Sequence, residues 1–388
     1  MKGGYDIVIA GAGPAGLSLA RELADSGLKI LVLDKKKSAE DAQYNTLGSL
    51  IEPKEWGLPS NILHPVNTLY FASKNQVAIK SMPVNSVNSV NRKKLLSFLE
   101  RDAKRRGNVK VAYEALIDGV ELDAGVKSIQ YTSKGKKKMV KAKIFADCSG
   151  VGVVIGGKLG LVPRNPVTAV GIEYIVPLKT EPNTTDLFVG SHFRGGYGWI
   201  LPINSKKAIV GYGTLDKELF KDVQQLIDEM WNIPRVKERC EFKPLKKEVA
   251  VLRTGKPLKK FTQGNVVVVG DSALQVNPIL GEGVRFVMDA SRMAAKWIKA
   301  AIKKGDISLL ENYSREWRKK YCKKYELGFK LQELAKKHSK SDGNMDLGVR
   351  FLRKNSSKDL YRLISGDISY PFLAKIMGKA LIKKLAKI

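Results

Sequence analysis

The chain has 388 residues, enough for two domains or one large composite unit with an ample core. Its 68 Lys and Arg residues exceed its 38 Asp and Glu residues by 30, which favours an anionic partner surface or a lysine-rich network of surface charges. Its three cysteines lack CxxC spacing, which argues against a zinc site or a disulfide framework. Without a signal-peptide pattern or a run of about 18 apolar residues, we expect a cytoplasmic location.

The first predicted elements are a buried strand, a glycine turn and a helix. Apolar residues 7–10 predict a parallel strand, and helical periodicity follows the turn. The turn consists of Gly11, Ala12, Gly13, Pro14, Ala15 and Gly16. Gly11 suits a tight turn, Gly13 leaves room for a pyrophosphate, and Gly16 allows the helix to pack closely. A second strand ends at Asp34, whose carboxylate could accept hydrogen bonds from a ribose. With the positive end of the helix dipole at the turn, this segment predicts a bound adenine dinucleotide.

Three lysines and a run of short elements follow Asp34. Lys35 could meet a cofactor phosphate, although a solvated turn is the alternative. Residues 69–72 and 76–79 alternate in polarity and predict a hairpin inserted in the nucleotide domain. A helix is expected from about residue 91 to 106. Arg92 lies in its first turn, where a structural salt bridge and a contact to the cofactor phosphate or flavin edge are equal alternatives.

The middle of the chain alternates between two predicted sheets. Residues 109–140 have the pattern of a small antiparallel meander, and the apolar strand 143–147 returns to the central sheet. Cys148, which follows this strand, is expected to be a small core residue rather than a nucleophile. Residues 167–251 predict a mainly antiparallel sheet, with a helix near 217–230, and this second domain should carry the substrate.

The chain then returns to the first sheet through a buried strand that ends at Gly270 and Asp271. After Gly281-Glu282-Gly283 a helix is expected to continue to about Lys303, so the nucleotide domain is predicted to be discontinuous. The last stretch, from about residue 308, is predicted to be helical and basic. Its segment Tyr370–Ile388 has the pattern of a basic amphipathic helix, either packed on the body of the protein or bound to anionic lipid.

Four segments, in their order along the chain, resemble the aromatic-hydroxylase-like FAD superfamily: the glycine turn, Asp34, the turn Ala146-Asp147-Cys148-Ser149-Gly150, and Gly270-Asp271 with Pro278 and Gly281-Glu282-Gly283. This superfamily includes flavin monooxygenases, halogenases, lycopene cyclases and geranylgeranyl reductases. The resemblance spans about residues 5–305 and implies FAD as the cofactor. It implies that the glycine turn binds the pyrophosphate, Asp34 the adenosine ribose and Arg92 the phosphate side. The further cofactor-binding residues that it implies are Lys35, Gly270, Asp271, Pro278, Gly281, Glu282, Gly283 and Val284.

Residues 195–213 resemble geranylgeranyl reductases in particular. Tyr197, Trp199 and Pro202 match a YxWxxP element whose aromatic residues line an isoprenoid cavity near the flavin. With His192 and Tyr212 they form the predicted substrate cavity, and filling of the sheet core is the alternative for Tyr197 and Trp199. His192, Tyr212 and Glu282 are candidate proton donors, but each has a structural alternative, so no catalytic residue is assigned.

Two departures from the reductase pattern bear on the substrate and on proton donation. Asn45–Ile51 lacks the cysteine-bearing motif that is common in reductases. Ser272-Ala273-Leu274 replaces the usual Ala-Ala-Gly-like run.

The predicted fold is mixed α/β and α+β. Residues 1–165 and 252–305 would form a discontinuous Rossmann-like FAD-binding domain, residues 166–251 an antiparallel-sheet substrate domain, and residues 306–388 a basic helical C-terminal region. No metal site is predicted.

The function that the resemblance implies is an archaeal-type FAD-dependent reductase that saturates double bonds of prenyl lipids or prenyl diphosphates. Alternatives are a flavin monooxygenase or halogenase on a hydrophobic substrate, and a non-enzymatic electron-transfer or lipid-binding flavoprotein. NADPH, ferredoxin or another donor would supply the electrons. The basic tail favours peripheral attachment to an anionic membrane. A nucleic-acid partner is not expected, because no recognition motif accompanies the charge.

Overall fold

The computed structural model describes residues 4–41, 46–83, 86–163 and 167–378. The strands, in chain order, are β1 (Tyr5–Ala10), β2 (Ile30–Leu33), β3 (Thr46–Ser49), β4 (Leu63–Val66), β5 (Thr68–Ala72), β6 (Val77–Ser81), β7 (Val87–Asn91), β8 (Val109–Ala112), β9 (Ala115–Leu122), β10 (Val126–Ser133), β11 (Lys136–Val140), β12 (Ala142–Asp147), β13 (Val167–Pro177), β14 (Thr184–Phe188), β15 (Gly196–Asn204), β16 (Lys207–Thr214), β17 (Lys246–Thr254), β18 (Thr262–Gln263) and β19 (Val266–Val268). The helices are α1 (Pro14–Leu23), α2 (Arg92–Arg106), α3 (Val223–Glu229), α4 (Pro234–Arg239), α5 (Val284–Lys304), α6 (Glu311–His338), α7 (Asp342–Lys354), α8 (Ser357–Ile364) and α9 (Tyr370–Met377).

The cofactor half of the protein is built on a six-stranded sheet in the order β18-β19-β12-β1-β2-β8. Its strands pair in parallel except for the short edge pair of β18 and β19. Apolar residues point to both faces of β1, because α1, α2 and α5 pack on one face and the small sheet β9–β11 covers the other. The predicted return of the chain to this sheet through β12 and β19 is confirmed.

The predicted meander over residues 109–140 is wrong in its first strand. Val109–Ala112 is β8, which pairs in parallel with β2 at the edge of the six-stranded sheet. Only β9, β10 and β11 form the antiparallel meander. Alternation of polarity reveals a half-buried strand but not its partner, and a four-residue edge strand has the same pattern in either sheet.

The second large sheet has seven strands in the order β17-β13-β16-β15-β14-β5-β6. The predicted hairpin at residues 69–79 is present as β5 and β6, but its placement in the nucleotide domain is wrong. Strand β5 pairs in parallel with β14 and so extends the second sheet. The expectation of a mainly antiparallel sheet holds for every other neighbouring pair in it. Strand β17 runs to Thr254, past the expected domain boundary at residue 251.

The two faces of the seven-stranded sheet are covered by different elements. Helices α3 and α4 pack on one face, which is called here the helix face, around residues such as Ile200, Tyr212 and Val236. The other face, called the inner face, packs against the small sheet β3-β7-β4 and against α7 and α8. Because strand side chains alternate, each residue of the sheet belongs to one of these two faces.

The C-terminal region is helical, as predicted. Helix α9 buries Phe372 and Leu373 against Leu327 of α6, so this part of the predicted amphipathic helix packs on the body of the protein. Residues 379–388, which hold the rest of that predicted helix, lie outside the described residues. In the described part of the chain, no helix combines the length and apolar character needed to cross a bilayer.

Candidate cofactor and substrate site

The glycine turn between β1 and α1 has two positions at which the surrounding backbone leaves no room for a side chain. A Cβ on Gly11 would lie 2.5 Å from the carbonyl oxygen of Cys148, and a Cβ on Gly16 would overlap the carbonyl oxygen of Gly11. Gly13 is different, because no atom lies within 4 Å of the position that its Cβ would take. The turn is therefore closed at Gly11 and Gly16 and open at Gly13, where we predict that a phosphate approaches the backbone.

Helix α1 begins at this open position without a capping side chain. Gly13 is its N-cap residue and makes no side-chain hydrogen bond to the first turn, and Pro14 occupies the first helical position. The N–H groups of Ala15 and Gly16 lie in that first turn, where an α-helix provides no carbonyl partner. Together with the positive end of the helix dipole, this turn fits an anionic group such as a pyrophosphate.

Asp34, at the end of β2, turns back towards the glycine turn. Its Oδ2 accepts a hydrogen bond from the Ala12 N–H at 2.6 Å, and its Oδ1 accepts one from the Lys36 N–H at 2.8 Å. The Lys36 ammonium donates to the Ala12 carbonyl oxygen at 3.1 Å and lies 3.7 Å from Asp34. Burial lowers the pKa of Lys36, and the charge of Asp34 opposes this shift.

Lys36, rather than Lys35, therefore accompanies Asp34 at the turn, while Lys35 is exposed. Lys35 was predicted because it directly follows Asp34. Residues 35–38 form a bend rather than extended chain, so no simple periodicity of the sequence indicated that Lys36 would face Asp34.

Arg92 and Asp271 come close to this turn from distant parts of the chain. Arg92 opens α2, where the Asn91 side chain caps the helix by accepting from the Lys94 N–H at 3.0 Å. Burial raises the pKa of Asp271, and the positive charges of Arg92 and then Arg253 oppose this shift. The charge of Arg92 also lowers the pKa of Lys36. Arg92 thus lies within electrostatic reach of both the glycine turn and the turn at Asp271.

The turn at residues 270–273 is held by buried polar contacts. Gly270 has a left-handed backbone, and a Cβ there would lie 2.9 Å from the Cβ of Ala15. The Ser272 hydroxyl is 3.2 Å from Asp147 Oδ1, and the other oxygen of Asp147 accepts from the N–H groups of Ile155 and Gly156. Asp147 therefore fixes the ends of two neighbouring strands and has a structural role.

The loop from Pro278 to Gly283 contains a buried carboxyl group. Glu282 Oε1 accepts from the Ser49 hydroxyl at 2.8 Å and from the Arg285 N–H at 3.1 Å. Its Oε2 is buried without a hydrogen-bond partner. Burial raises the pKa of Glu282, so this carboxyl group holds a proton more readily than an ordinary glutamate does.

A second orphaned polar atom accompanies Glu282. The Tyr325 hydroxyl of α6 is buried without a hydrogen-bond partner, and burial, with the charge of Glu282 next in effect, raises the pKa of Tyr325. Helix α6 also holds the loop, because Gln332 donates to the Pro278 carbonyl oxygen at 2.6 Å. Gly283 is the N-cap residue of α5, which begins at Val284, and has no side chain to cap it, while the Arg285 N–H in that first turn donates to Glu282. Buried polar atoms without a hydrogen-bond partner fit the polar edge of a flavin ring.

Tyr197 and Trp199 lie on the inner face of the seven-stranded sheet. The Tyr197 hydroxyl donates to the Leu280 carbonyl oxygen at 2.7 Å, which joins the sheet to the loop at Gly281. The rings of Tyr197 and Trp199 are 5.5 Å apart. A Cβ on Gly211 would overlap the Trp199 indole, and one on Gly213 would lie 3.2 Å from it. The indole thus lies flat over two glycines of β16, which the sequence reasoning did not assign.

The structure does not bring Tyr212, His192 and Pro202 to this surface. Tyr212 is fully buried on the helix face, where its hydroxyl is 3.4 Å from the His192 carbonyl oxygen. The His192 ring is 3.1 Å from the Leu226 carbonyl oxygen and 3.4 Å from Glu229, both on α3. Pro202 is buried and differs from Trp199 by an odd number of positions on β15, so it points to the helix face too.

The structure therefore does not bring these three residues into one cavity with Tyr197 and Trp199, and this geometry does not support His192 or Tyr212 as the proton donor. Alternation along β16 places Tyr212 opposite to Gly211 and Gly213, which the sequence pattern alone could have indicated.

Trp199 is one of several partly buried apolar side chains that pack against the core of the inner face. The others come from the sheet, from the loop before Gly281 and from the C-terminal helices, and they include Leu187, Val189, Ile203, Leu280, Leu352 and Tyr361. Large apolar groups that keep part of their surface exposed offer contact to an apolar ligand. No cluster of metal-ligating side chains occurs among the described residues.

The family described as FAD binding domain matches residues 4–325, most of the chain. The chain belongs to this FAD-binding family. The match includes both the glycine turn and the Gly281–Gly283 loop, and FAD is the cofactor of the protein. Its curated relatives include the digeranylgeranylglycerophospholipid reductases of Methanocella arvoryzae and Methanosarcina acetivorans. The first is 25% identical over 91% of this chain and 92% of the relative, and the second is 28% identical over 82% and 81%.

Solved structures confirm the fold of this FAD-binding protein. A geranylgeranyl bacteriochlorophyll reductase-like protein from Thermoplasma acidophilum is similar to it with a TM-score of 0.86 and 22% identity, over 99% of this chain and 98% of the other. A flavin-dependent brominase is similar with a TM-score of 0.75 and 18% identity, over 99% of both chains. The predicted mixed fold with a Rossmann-like FAD-binding part and a C-terminal helical region is therefore confirmed.

Proposed function

We propose that this chain is an FAD-dependent reductase that saturates carbon-carbon double bonds of geranylgeranyl or other prenyl chains in the biosynthesis of isoprenoid membrane lipids. The names of its curated relatives support this proposal. The structural observation that carries it is the position of the Trp199 indole, which packs over Gly211 and Gly213 on an apolar surface. Tyr197 joins this surface to the loop at Gly281–Gly283 through its hydrogen bond to Leu280.

An apolar polyene is the kind of ligand that this surface favours. Each methylene group that leaves water contributes roughly 0.8 kcal/mol to binding, and a flat indole offers a large contact area. Leu187 lies opposite Trp199 on β14, and Val189 and Leu352 are partly buried branched side chains of the same cluster. Polar groups are found at the loop side of the surface, where Glu282 and Tyr325 are buried. We therefore expect the chain of the substrate along Trp199 and its reacting double bond near the loop.

Different residues of the site would bind the cofactor and donate the proton. The first turn of α1 and Asp34 would hold the pyrophosphate and the adenosine ribose of FAD, and the loop at Gly281–Gly283 would meet the flavin edge. Reduced FAD, when bound, supplies a hydride to one carbon of the double bond. The second carbon needs a proton, and Glu282 is the candidate that remains on this side of the sheet. Burial raises its pKa and so favours a proton on the carboxyl group, although the Arg285 guanidinium, 3.8 Å from Oε2, opposes this shift. Oε2 has no hydrogen-bond partner and is the atom that would release the proton.

The proposed function also includes a substrate, an electron donor and a membrane surface. A prenyl lipid or prenyl diphosphate would be the substrate, and an external donor such as NADPH or ferredoxin would reduce the flavin. An anionic membrane at the cytoplasmic face would be the place where the protein meets its lipid, which its net charge of +30 favours.

The test is anaerobic incubation of the dithionite-reduced protein with a geranylgeranyl lipid, followed by mass spectrometry. The proposal expects a mass gain of two hydrogens for each double bond. An oxygen-dependent product instead would contradict it and support the monooxygenase or halogenase alternative. Bound FAD without either product would support an electron-transfer or lipid-binding protein.

Two tryptophan variants test whether the reaction depends on the surface around Trp199. Trp199→Ala removes the indole from the inner face and should lower the rate of reduction strongly. Trp297→Ala is the matched control, because it removes the same group from α5, where the indole N–H donates to Glu316 at 2.6 Å. Equal losses in the two variants would contradict a role for the surface around Trp199.

A further inference from the structure

One end of the seven-stranded sheet is strongly basic. The C-terminal end of β13, the turn between β15 and β16 and the N-terminal end of β17 meet there. Pro177 pairs with Lys207, and the Leu178 N–H donates to the Lys206 carbonyl oxygen at 2.9 Å. The Leu245 N–H donates to the Ile175 carbonyl oxygen at 2.8 Å. This end is called here the basic tip, and its exposed lysines are Lys179, Lys206, Lys207, Lys237, Lys243 and Lys246.

Two large apolar side chains project from the basic tip. All residues from 241 to 247 are exposed, and Phe242 and Leu245 expose 62% and 47% of their surface. The ring of Phe242 lies 4.7 Å from that of Trp231, so its position is defined while its outer surface meets water. The exposed acidic residues of this end are Glu181, Glu238 and Glu241, and Lys246 is paired with Glu248 at 2.5 Å. Lysines therefore outnumber acids around an exposed apolar pair.

The basic tip is continuous with the inner face. From Lys207 and Pro177, the side chains on this face are Ile203 and Ile175, both partly buried, then Leu201 and Ile209, both buried, and then Trp199. Gly213, the glycine opposite Tyr197, is six positions from Lys207 along β16, which at roughly 3.3 Å per residue is about 20 Å. A row of apolar side chains thus runs from the lysines towards Trp199.

We propose that the basic tip, with Phe242 and Leu245, docks on an anionic lipid bilayer. The lysines would lie among the headgroups while the two apolar side chains enter the boundary of the acyl region. Charge complementarity and the exposed apolar pair carry this docking proposal. A second part rests on the proposed function: a prenyl chain would enter the inner face from this end and reach Trp199 along the row of Ile175, Ile203, Leu201 and Ile209, of which the last two must move to admit it.

The first experiment measures co-sedimentation of the full chain with vesicles of phosphatidylcholine that contain phosphatidylglycerol, and with vesicles of phosphatidylcholine alone. The charge variant is Lys206→Glu/Lys207→Glu/Lys243→Glu, and the apolar variant is Phe242→Ser/Leu245→Ser. We expect each to lower the partition into anionic vesicles at least about tenfold. The wild-type chain should bind pure phosphatidylcholine far more weakly.

The chain offers matched controls on the sheet of β9–β11. Lysines at positions 136–138 are exposed there, and Leu116 and Met139 expose 52% and 65% of their surface. Lys136→Glu/Lys137→Glu/Lys138→Glu and Leu116→Ser/Met139→Ser should leave binding within about twofold of the wild type. Equal losses in the controls, or no loss in the variants of the basic tip, would overturn the docking proposal. Loss of binding only after deletion of residues 370–388 would assign the membrane contact to the tail instead.

A second experiment separates this proposal from the proposed function. Reduction of a prenyl lipid is measured in detergent solution and in anionic vesicles. The charge variant should retain activity in detergent and lose it in vesicles. If the wild type reduces no lipid but its vesicle binding depends on the basic tip, the proposed function fails and the docking proposal stands. If the wild type and the charge variant reduce the lipid equally well in vesicles, the docking proposal fails while the proposed function stands.

Discussion

Trp199 lies in space that small residues of the neighbouring strands leave open. Gly211 and Gly213 of β16 lie beneath its ring, and a Cβ on Gly171 of β13 would be 3.9 Å from it. The sequence predicted an aromatic surface at Tyr197 and Trp199, but it did not assign these glycines. Glycine weakens a strand through its conformational freedom, so its repeated use here indicates a place where another group must approach the backbone.

The first prediction concerns Gly211→Ala. The added Cβ would overlap the indole, so Trp199 must move from its seat. We expect kcat/KM for a prenyl substrate to fall by on the order of 10- to 100-fold, with a shift of tryptophan fluorescence. Gly348→Ala is the matched control, since nothing lies within 4 Å of a Cβ on Gly348. Unchanged kinetics and fluorescence in Gly211→Ala would show that the indole does not depend on this seat.

Glu173 and Glu248 are two carboxyl groups opposite each other on the inner face. They pair in register on β13 and β17, and Glu173 pairs with Gly211, so all three lie in the row of Trp199. Burial, then a hydrogen bond to Glu248, raises the pKa of Glu173 well above its usual range. A hydrogen bond between two carboxyl groups requires a proton on one of them, and both groups are negative once that proton is lost.

The second prediction is that Glu173→Gln stabilises the protein at high pH. The pKa of Glu173 is higher in the folded state than in the unfolded state. Its contribution to stability is therefore complete below the unfolded value and is lost as the pH rises through the folded value. The variant should exceed the wild type by about 1 kcal/mol in free energy of unfolding at pH 8 and not at pH 4.

Urea unfolding at the two pH values measures this difference. Glu238→Gln is the control, since Glu238 has an exposed side chain. An equal difference between Glu173→Gln and the wild type at pH 4 and pH 8 would contradict the prediction.

At the scale of elements, the strand, turn and helix of residues 5–23 were predictable because every local feature agrees. The run of apolar residues, the turn glycines and the proline at the first helical position all indicate the same structure. The hairpin of β5 and β6 was predictable as a hairpin, but its neighbour β14 lies about 100 residues further along the chain. Local patterns hold no information about such a partner, which tertiary packing decides.

The candidate site also contains residues that local motifs predicted and residues that only long-range packing brings there. The glycine turn, Asp34 and Glu282 were named from motifs, whereas Lys36 and Tyr325 were not. Tyr325 lies on α6, whose sequence predicts only a basic helix, and its proximity to Glu282 arises from long-range packing. His192 and Tyr212 were misplaced because a motif gives spacing along the chain and not the face of the sheet.

The third prediction tests the open position of the glycine turn. Gly13→Ala adds a Cβ where the protein has no atom, so the variant should fold with an unchanged melting temperature in its FAD-free form. Its affinity for FAD should fall on the order of tenfold, because the pyrophosphate loses its close approach to the backbone. FAD titration by fluorescence and thermal melting measure the two effects.

Gly16→Ala is the contrasting variant, since its Cβ would overlap the Gly11 carbonyl oxygen and lower the melting temperature of the FAD-free form as well. Unchanged FAD affinity in Gly13→Ala would contradict the predicted pyrophosphate position.

At the scale of the whole molecule, the seven-stranded sheet depends on segments from outside residues 166–251. Strands β5 and β6 form one edge, and β17 continues to Thr254 on the other side. The inner face also packs against Val349 and Leu360 of the C-terminal helices. The helix face of the proposed substrate domain has a core made of the domain's own residues, whereas its inner face is completed by the rest of the chain.

The fourth prediction follows for the fragment of residues 166–251. Without β5 its strand β14 becomes an unpaired edge, and without α7 and α8 an apolar face is exposed to water. We expect the fragment to lack cooperative thermal unfolding, as circular dichroism would measure, while the full chain unfolds cooperatively under the same conditions. A sharp unfolding transition of the fragment would contradict this dependence.

The hydrogen bond from Tyr197 to the Leu280 carbonyl oxygen has a thermodynamic consequence. It connects the sheet that carries Trp199 with the loop that precedes Gly281, so under the proposed function it would join the substrate surface to the flavin site. Linkage requires any effect of one ligand on the other to be reciprocal: the factor by which an apolar chain changes the affinity for FAD equals the factor by which FAD changes the affinity for that chain. The Tyr197 hydroxyl would be a contact through which the two proposed sites are coupled.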